Sequence, residues 1–438
     1  ADERRISSEI AAGHPIITPF YHRAVSDSES EGFRLTQICT RGTDQPETVL
    51  WRGERYTHDK IRIAYSSTDF RDHVVADVLV GCLERHDRSR FQITGISIGP
   101  DDGSEMRKRI TNAFDRFIDV ESLGDFQIAK LLRDLEIDIL VDLNGNSGDC
   151  RTKIFSYRPV PLQVNFLGCP GTTGLQFFDY IIADPVVVPD AHREYYTEQV
   201  IYLPHSYMPN DSTREIAAKT PSRADAGLPQ TGFVFACQNS EYKITPEIFD
   251  VWMRLLKNID DSVFWLRTPN PTAKLNLRRE AEARGVNPDR LLFAPRLAFA
   301  KEHLARLQLA DLFLDTRPYN AHASACDALW AGVPLVTCLG NTFPGRVAAS
   351  VLHAIGLPEL ITESLEEYER LAMALAQNPQ QLTRIKDTLR RNRDTAPLFD
   401  TARFTRDLES AYAAIWKRKQ DGLPAASLFA DQELARAQ

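Results

Sequence analysis

Ile61–Ile98 reads IRIAYSSTDFRDHVVADVLVGCLERHDRSRFQITGISI, and its run of elements sets the fold class. It opens on an apolar run, Ile61–Tyr65, that reads as a buried strand. Val74–Arg85 follows with helical periodicity, and Phe91–Ile98 is strand-like again. A strand, a helix and a second strand in that order form a parallel crossover unit. The pattern repeats along the chain. Glu105–Ala113 and Ile128–Asp134 read as helices. Ile137–Leu143 (IDILVDL), Leu162–Leu167 and Tyr180–Ile182 read as strands. Residues 205–231 are rich in Ser, Thr, Pro, Asn and Asp, which is linker composition. A second alternation follows, with strands at Phe233–Cys237, Val263–Leu266, Leu291–Phe293, Leu312–Leu314 and Leu335–Thr337. Its helices fall at Pro246–Leu256, Ala273–Arg284, Lys301–Leu309, Ala325–Trp330 and Arg346–Ile355. Helical stretches near 364–377, 379–392 and 402–418 close the chain, and the last few residues read as frayed. Such alternation predicts α/β architecture: two doubly wound parallel sheets with helices on both faces. The expected domains are a helical lead-in over 1–58, a first sheet domain over 59–208, a linker over 209–231, a second sheet domain over 232–398, and a C-terminal helix and tail over 399–438. In the lead-in, Ile6–Ala12 and Glu31–Cys39 read as helices, and Pro15 and Pro19 break the first.

The bulk numbers narrow the class. A chain of 438 residues suits two or three domains. A net charge of −8 argues against a nucleic-acid partner, which needs a basic face. The seven cysteines are scattered with no C-x-x-C spacing, so neither a disulfide framework nor a zinc site is expected. A reducing, cytoplasmic compartment fits best. No apolar run is long enough to span a bilayer, and residues 1–10 are too polar for a signal peptide. The chain begins at Ala1, which suggests a processed or excised piece of a longer protein. No internal repeat is visible, including the helical kind of roughly 34 residues.

Doubly wound folds bind ligands outside the carboxyl ends of their strands. The richest such place is Leu314–Trp330, LDTRPYNAHASACDALW. A strand ends there, and a helix opens at about Ala323–Ala325 among small residues. Free backbone N–H groups and the positive helix end suit a diphosphate. His322 can donate to a phosphate oxygen, and Asp327 can accept from ribose hydroxyls. The same residues equally fit a plain strand-to-helix turn capped by Ser324. In Cys237–Ile244 (CQNSEYKI), which contains Asn239, Lys243 is placed to reach the same phosphates or to be a solvated lysine. His303 and Arg306 share one helix face. They suit a nucleobase, or are an ordinary polar face. In the first half, His73 is a candidate general base ahead of a helix, or a surface histidine beside a capping Asp72. Gly168–Gly174 (GCPGTTG) either receives a sugar ring or turns the chain. Asn144–Ser147 with Arg151 is another loop-to-helix start. No P-loop, G-x-S-x-G elbow, H-E-x-x-H pair or G-x-G-x-x-G turn occurs.

Taken together, RIAYSSTDFRDH (62–73), DILVDLNG (138–145), RPVPLQVNFLGCPGTTG (158–174), DYIIAD (179–184), YLPHSY (202–207), EYKI (241–244), HLARLQLADLFLDT (303–316), PYNAHASACDALWAGVPLVT (318–337) and GRVAAS (345–350) resemble the catalytic region of the O-GlcNAc transferase and SPINDLY family. The resemblance covers roughly residues 60–418. It implies a GT-B type fold of two Rossmann-like domains facing a cleft. It implies inverting, metal-independent transfer of GlcNAc from UDP-GlcNAc to Ser or Thr of acceptor proteins or peptides, with UDP as product and no cofactor. In that scheme Lys243 and His322 neutralise the diphosphate, helped by the backbone at Ala323 and Ser324. His303 lies against the base with Arg306 nearby, and Asp327 holds the ribose. Asn239 belongs to the same nucleotide-sugar site. Gly168, Pro170, Gly171 and Thr172 face the sugar, and His73 sits near the acceptor hydroxyl. Tyr319, Ala323 and Cys169 depart from the animal enzymes. The alternatives are a protein O-fucosyltransferase using GDP-fucose and an inactive nucleotide-sugar-binding module. Relatives usually carry tetratricopeptide repeats before this region, and the animal enzymes carry a large insert where this chain has only the short linker.

Overall fold

Short strands, apolar on both faces, build each sheet. In the first, β1 (Ile61–Ser67), β2 (Phe91–Ser97), β3 (Arg116–Asp119), β4 (Ile139–Asp142), β5 (Leu162–Asn165), β6 (Tyr180–Ala183) and β7 (Gln199–Tyr202) lie in the order β7-β6-β5-β4-β1-β2-β3. A two-residue strand, Leu428–Phe429, adds to the β7 edge, and all pairings are parallel. In the second, β8 (Val234–Cys237), β9 (Val263–Arg267), β10 (Leu291–Ala294), β11 (Leu312–Leu314), β12 (Leu335–Cys338) and β13 (Ile361–Thr362) lie in the order β10-β9-β8-β11-β12-β13, again all parallel. The chain runs outward from the first strand, then returns to pair the fourth strand on its other side. Loops leaving β1 and β4, and β8 and β11, therefore diverge and open a crevice at the strand carboxyl ends.

The computed structural model describes residues 2–42, 48–148 and 150–430. Two compact units emerge: Ala1–Ser212 with Asp400–Gln438, and Thr213–Phe399. In the first unit Ala64, Ile96 and Leu140 of the sheet pack with Ile128 and Leu132 of the helix Asp125–Asp134 and with Phe155, Phe177 and Phe178.

The division differs from the expected boundaries for local reasons. The lead-in helices Asp2–Ala12 and Glu29–Cys39 bury Ile10, Leu35 and Ile38 together, and the segment belongs to the first unit. Much of the expected linker is bound to the second unit: the Ala217 amide donates to Lys301 O at 3.0 Å, and Arg223 meets Asp311 at 3.1 Å. The helix Thr401–Gln420 is not an appendage. It buries Leu408, Ala411, Tyr412 and Ile415 in the first unit, and its Glu409 accepts from the Asp87 amide at 2.6 Å. The His86 ring bridges Glu409 (3.0 Å) and the Tyr65 hydroxyl (2.9 Å). Strands β3, β7, β13 and Leu428–Phe429 were not expected. Three of them are edge or near-edge pieces too short to display alternation, whereas β7 is signalled by the apolar run Val200–Leu203. The expected frayed end lies in part outside the described residues. Among the described residues, no helix is long and apolar enough to cross a membrane.

Leu408 is fully buried on the C-terminal helix. Leu408→Ala should therefore lower the unfolding free energy of the first unit by about 2–5 kcal/mol. Denaturant titration measures this, and a change below about 1 kcal/mol would detach the helix from that core.

Candidate functional site

The second unit gathers polar side chains at the carboxyl ends of β8 and β11. Asp315 directly follows β11 and is buried. Its Oδ1 accepts from the Thr316 amide (2.7 Å), the Ala321 amide (2.6 Å) and Asn239 Nδ2 (3.2 Å), and its Oδ2 accepts from Thr337 Oγ1 (2.7 Å). These bonds curl residues 316–321 into a fixed loop. The Arg317–Pro318 peptide within it is cis. Thr316 Oγ1 donates to Tyr319 O (2.7 Å), and Asn320 Nδ2 donates to Thr316 O (2.8 Å). Asn239 also donates to Thr316 Oγ1 (2.7 Å) and accepts from Ser324 Oγ. One asparagine thus ties the β8 loop, the β11 loop and the opening of the next helix.

That helix is Ala323–Trp330, and His322 precedes it without capping it through its side chain. The first amides of a helix have no partners within it, so they and the helix dipole offer donors to an anion. Lys243 is buried and donates to Asn320 O at 2.9 Å. Its ammonium lies 3.8 Å over the Tyr319 ring, which stacks on the His322 ring at 4.9 Å. Burial pulls the Lys243 ammonium well below its ordinary range, and the Asp315 carboxylate opposes that pull. His322 is driven well below the ordinary histidine value by burial first and by Lys243 second. Its Nε2 faces Pro344 O at 3.2 Å, an atom that only accepts, so the ring proton sits on Nε2.

His303 is partly buried, and burial lowers its pKa, with Asp327 pulling the other way. Arg306 is largely committed to structure. It donates to Pro295 O (2.7 Å) and to His303 Nδ1 (3.4 Å), and lies over the Trp265 ring at 5.6 Å. Asp327 is held by Arg214 at 2.6 Å. An Asp327 already paired to a guanidinium has less capacity for ribose hydroxyls than the bare sequence suggests, and Arg214 escaped the sequence reading altogether.

The remaining predicted residues lie in the first unit. Asn144 Oδ1 accepts from the Thr68 amide (2.9 Å), and Asn144 Nδ2 donates to Thr68 Oγ1 (2.6 Å) and Asp69 (3.2 Å). The loops after β1 and β4 are thereby joined, as in the second unit. His73 caps the helix Val74–Arg85: its Nδ1 accepts from the Val75 amide at 3.3 Å and lies 3.7 Å from Asp69. Burial lowers the His73 pKa, and Asp69 opposes the shift. Gly168 lies so close to Leu143 O that a Cβ would sit 2.1 Å from it. Thr172 is buried and spends its hydroxyl on Glu198 at 2.6 Å. Pro170 and Gly171 are buried as well. Asp69, Asp142, Glu198 and Asp315 were missed as organising groups. Two of them carried a visible signal, since a lone Asp ends the apolar strands ILVD and LFLD.

A family model described as glycosyl transferase family 41 matches residues 43–219 and 213–408. The chain belongs to glycosyl transferase family 41. Family 41 relatives include a probable UDP-N-acetylglucosamine–peptide N-acetylglucosaminyltransferase SEC of Arabidopsis thaliana, 37% identical over 363 residues, covering 82% of this chain and 37% of the relative. The SPINDLY protein of Solanum lycopersicum, whose name carries the same probable activity, is 28% identical over 385 residues, covering 86% of this chain and 41% of its own. The chain thus spans roughly two fifths of the length of these relatives. A solved mutant of the Thermobaculum terrenum O-GlcNAc transferase superposes with a TM-score of 0.81 at 30% identity, covering 95% of this chain and 78% of that one. Anabaena HepE, solved with UDP and glucose, shares the fold at a TM-score of 0.56 and 11% identity, covering 81% of this chain and 100% of its own. Two such sheets in one chain are the GT-B type of architecture.

Asp315→Asn leaves one acceptor oxygen among four donors and removes the charge facing Lys243. It should destabilise the second unit by about 3–5 kcal/mol. Denaturant unfolding reads this directly, and a loss under about 1 kcal/mol would show that the carboxylate does not hold the loop.

Proposed function

We propose that this chain transfers GlcNAc from UDP-GlcNAc to serine or threonine hydroxyls of proteins, with inversion at the anomeric carbon and without a metal. The observation that carries the reading is Lys243, His322 and a helix N-terminus converging where the loops after β8 and β11 part. Family 41 membership and relatives named for this activity support it. In one displacement the acceptor oxygen attacks the anomeric carbon and the UDP oxygen leaves. Charge grows on the diphosphate as the bond breaks, and Lys243 with the amides of Ala323 and Ser324 stabilises it. His303 lies against the uracil, and the Gly168–Thr172 loop receives the sugar. His73 takes the hydroxyl proton. With Nδ1 accepting from the Val75 amide, the neutral ring carries its proton on Nε2; to act as base it gives up that hydrogen bond and holds its proton on Nδ1, towards Asp69, so that Nε2 presents a lone pair. Localisation is cytoplasmic in this reading.

The depressed pKa values of Lys243 and His322 have a thermodynamic consequence. A diphosphate beside them favours their charged forms, so UDP binding near pH 7 takes up protons. Calorimetric titration with UDP, GDP, UDP-GlcNAc and GDP-fucose, in buffers of different ionisation enthalpy, should find selective UDP and UDP-GlcNAc binding with proton uptake. Selective GDP and GDP-fucose binding would replace GlcNAc by fucose as the sugar. UDP binding with a buffer-independent enthalpy would remove the proposed role of the two cations.

Because burial lowers the His73 pKa, its ring is neutral at pH 7 and protonates only below the ordinary histidine value. Turnover should fall on the acid side of that value. His73→Ala should cost about 10²–10⁴-fold in kcat and flatten the acid limb. Full activity in His73→Ala would eliminate it as the base.

A further inference from the structure

Arg23 sits in the helical lead-in, immediately after the short helix Pro19–His22. Its side chain does not reach solvent: the residue is 7% exposed. Instead the guanidinium enters the Gly168–Gly174 loop. Nη1 contacts Cys169 Sγ at 2.6 Å, and Nη2 donates to Thr172 O at 3.2 Å. Between those anchor points lies Gly171, at φ +124°, where a Cβ would stand 2.7 Å from Arg23 Nη2 and 3.0 Å from Cζ. The loop therefore has a glycine where the guanidinium lies. A second lead-in residue repeats the arrangement. Gly174, at φ +71°, would bring a Cβ within 2.6 Å of Thr36 Cγ2.

From the other side Glu198, fully buried, accepts from Thr172 Oγ1 (2.6 Å), Thr173 Oγ1 (2.6 Å) and the Thr173 amide (2.7 Å). The loop is thus held between a carboxylate just ahead of β7 and a guanidinium from the lead-in. The lead-in is itself fixed. Buried His22 pairs with Glu31 at 2.8 Å, and the Tyr196 hydroxyl donates to Glu29 at 2.7 Å.

We propose that Arg23 is a positioning residue for sugar transfer: its guanidinium sets the shape in which Cys169–Thr172 receives the donor's sugar. This role rests on the transfer reading above. Arg23 belongs to the first unit, whereas Lys243, His303, His322 and Asp327, assigned to the nucleotide in that reading, belong to the second. Its loss should therefore separate two properties that a general loss of stability would lower together.

The test uses the full chain with Arg23→Met and Arg23→Lys. In Arg23→Met, kcat/KM for UDP-GlcNAc should fall about ten- to a hundredfold. Affinity for UDP should move less than about twofold, as expected for a site elsewhere in the fold. Amide hydrogen exchange should rise within residues 168–174 and not across the remainder of the first unit. Arg23→Lys, which keeps a cation with fewer donors, should recover part of the rate. Wild-type kcat/KM in both variants would overturn the proposal. So would a uniform rise in exchange with an equal loss of UDP affinity. Should Arg23→Met fail to fold, Arg23→Lys decides: a reduced rate with intact UDP binding supports the role, and a wild-type rate refutes it. Absence of UDP-GlcNAc turnover in the unsubstituted protein would instead overturn the transfer reading, and this role with it.

Discussion

A carboxylate buried at the end of the fourth strand of each sheet is the constraint on which both halves depend. Asp315 takes two loop amides, one asparagine amide and one threonine hydroxyl. Asp142 ends β4 in the same topological position, accepts from the Asn144 and Gly145 amides at 3.0 Å each, and is pushed up to about 7 by burial. Burying a carboxylate is costly unless its lone pairs are satisfied. Here the satisfying donors are largely the amides of the loop that must be shaped. The expense of desolvation is thus converted into a loop with one conformation, at the place where a doubly wound sheet leaves a crevice. Asparagines complete the work in both units: Asn144 joins the β4 loop to the β1 loop, and Asn239 joins the β8 loop to the β11 loop.

The second consequence is electrostatic. Asp315 lies close enough to Lys243 to oppose the burial that would neutralise it. A lysine so buried remains a useful cation only with a negative partner, and Asp315 is such a partner before any ligand arrives. His322 has Lys243 as a neighbour and is held neutral. Lys243 and His322 together therefore sit below their full positive charge. A diphosphate bound there, as proposed, raises that charge by its own presence, and a neutral ligand has no such effect. In that reading, selectivity for a diphosphate follows from burial as much as from the identity of the side chains.

Much of this was legible in the sequence, and the limits are instructive. The order of strands and helices followed from apolar runs such as IDILVDL and the amphipathic stretches between them. The same pattern marked the loops in which Lys243, His322, Ser324 and His73 stand. Pairings between distant segments were not legible, because periodicity carries only local information. Nothing in Asp327 announces Arg214, more than a hundred residues away, and nothing in the helical pattern of 401–420 says that Glu409 meets the Asp87 amide. Buried carboxylates such as Glu198 were invisible for a related reason. An isolated acid in a polar stretch looks solvated until its threonine partners are known.

The first unit gives that limit a functional meaning. Its sheet is completed by segments from both ends of the chain, the lead-in over Gly171 and Gly174 and the C-terminal helix over Tyr65 and His86. A doubly wound sheet alone would leave the Gly168–Gly174 loop with Glu198 as an anchor on one side only. Glycines give such a loop freedom that has to be removed before it can present one surface to a sugar. The lead-in removes it through a single guanidinium and a threonine methyl. The part of the chain that reads least like an enzyme in sequence is therefore bound to the shape of the loop proposed to hold the sugar. On the proposed reading, changes in the lead-in that leave the sheet intact act on transfer through that loop.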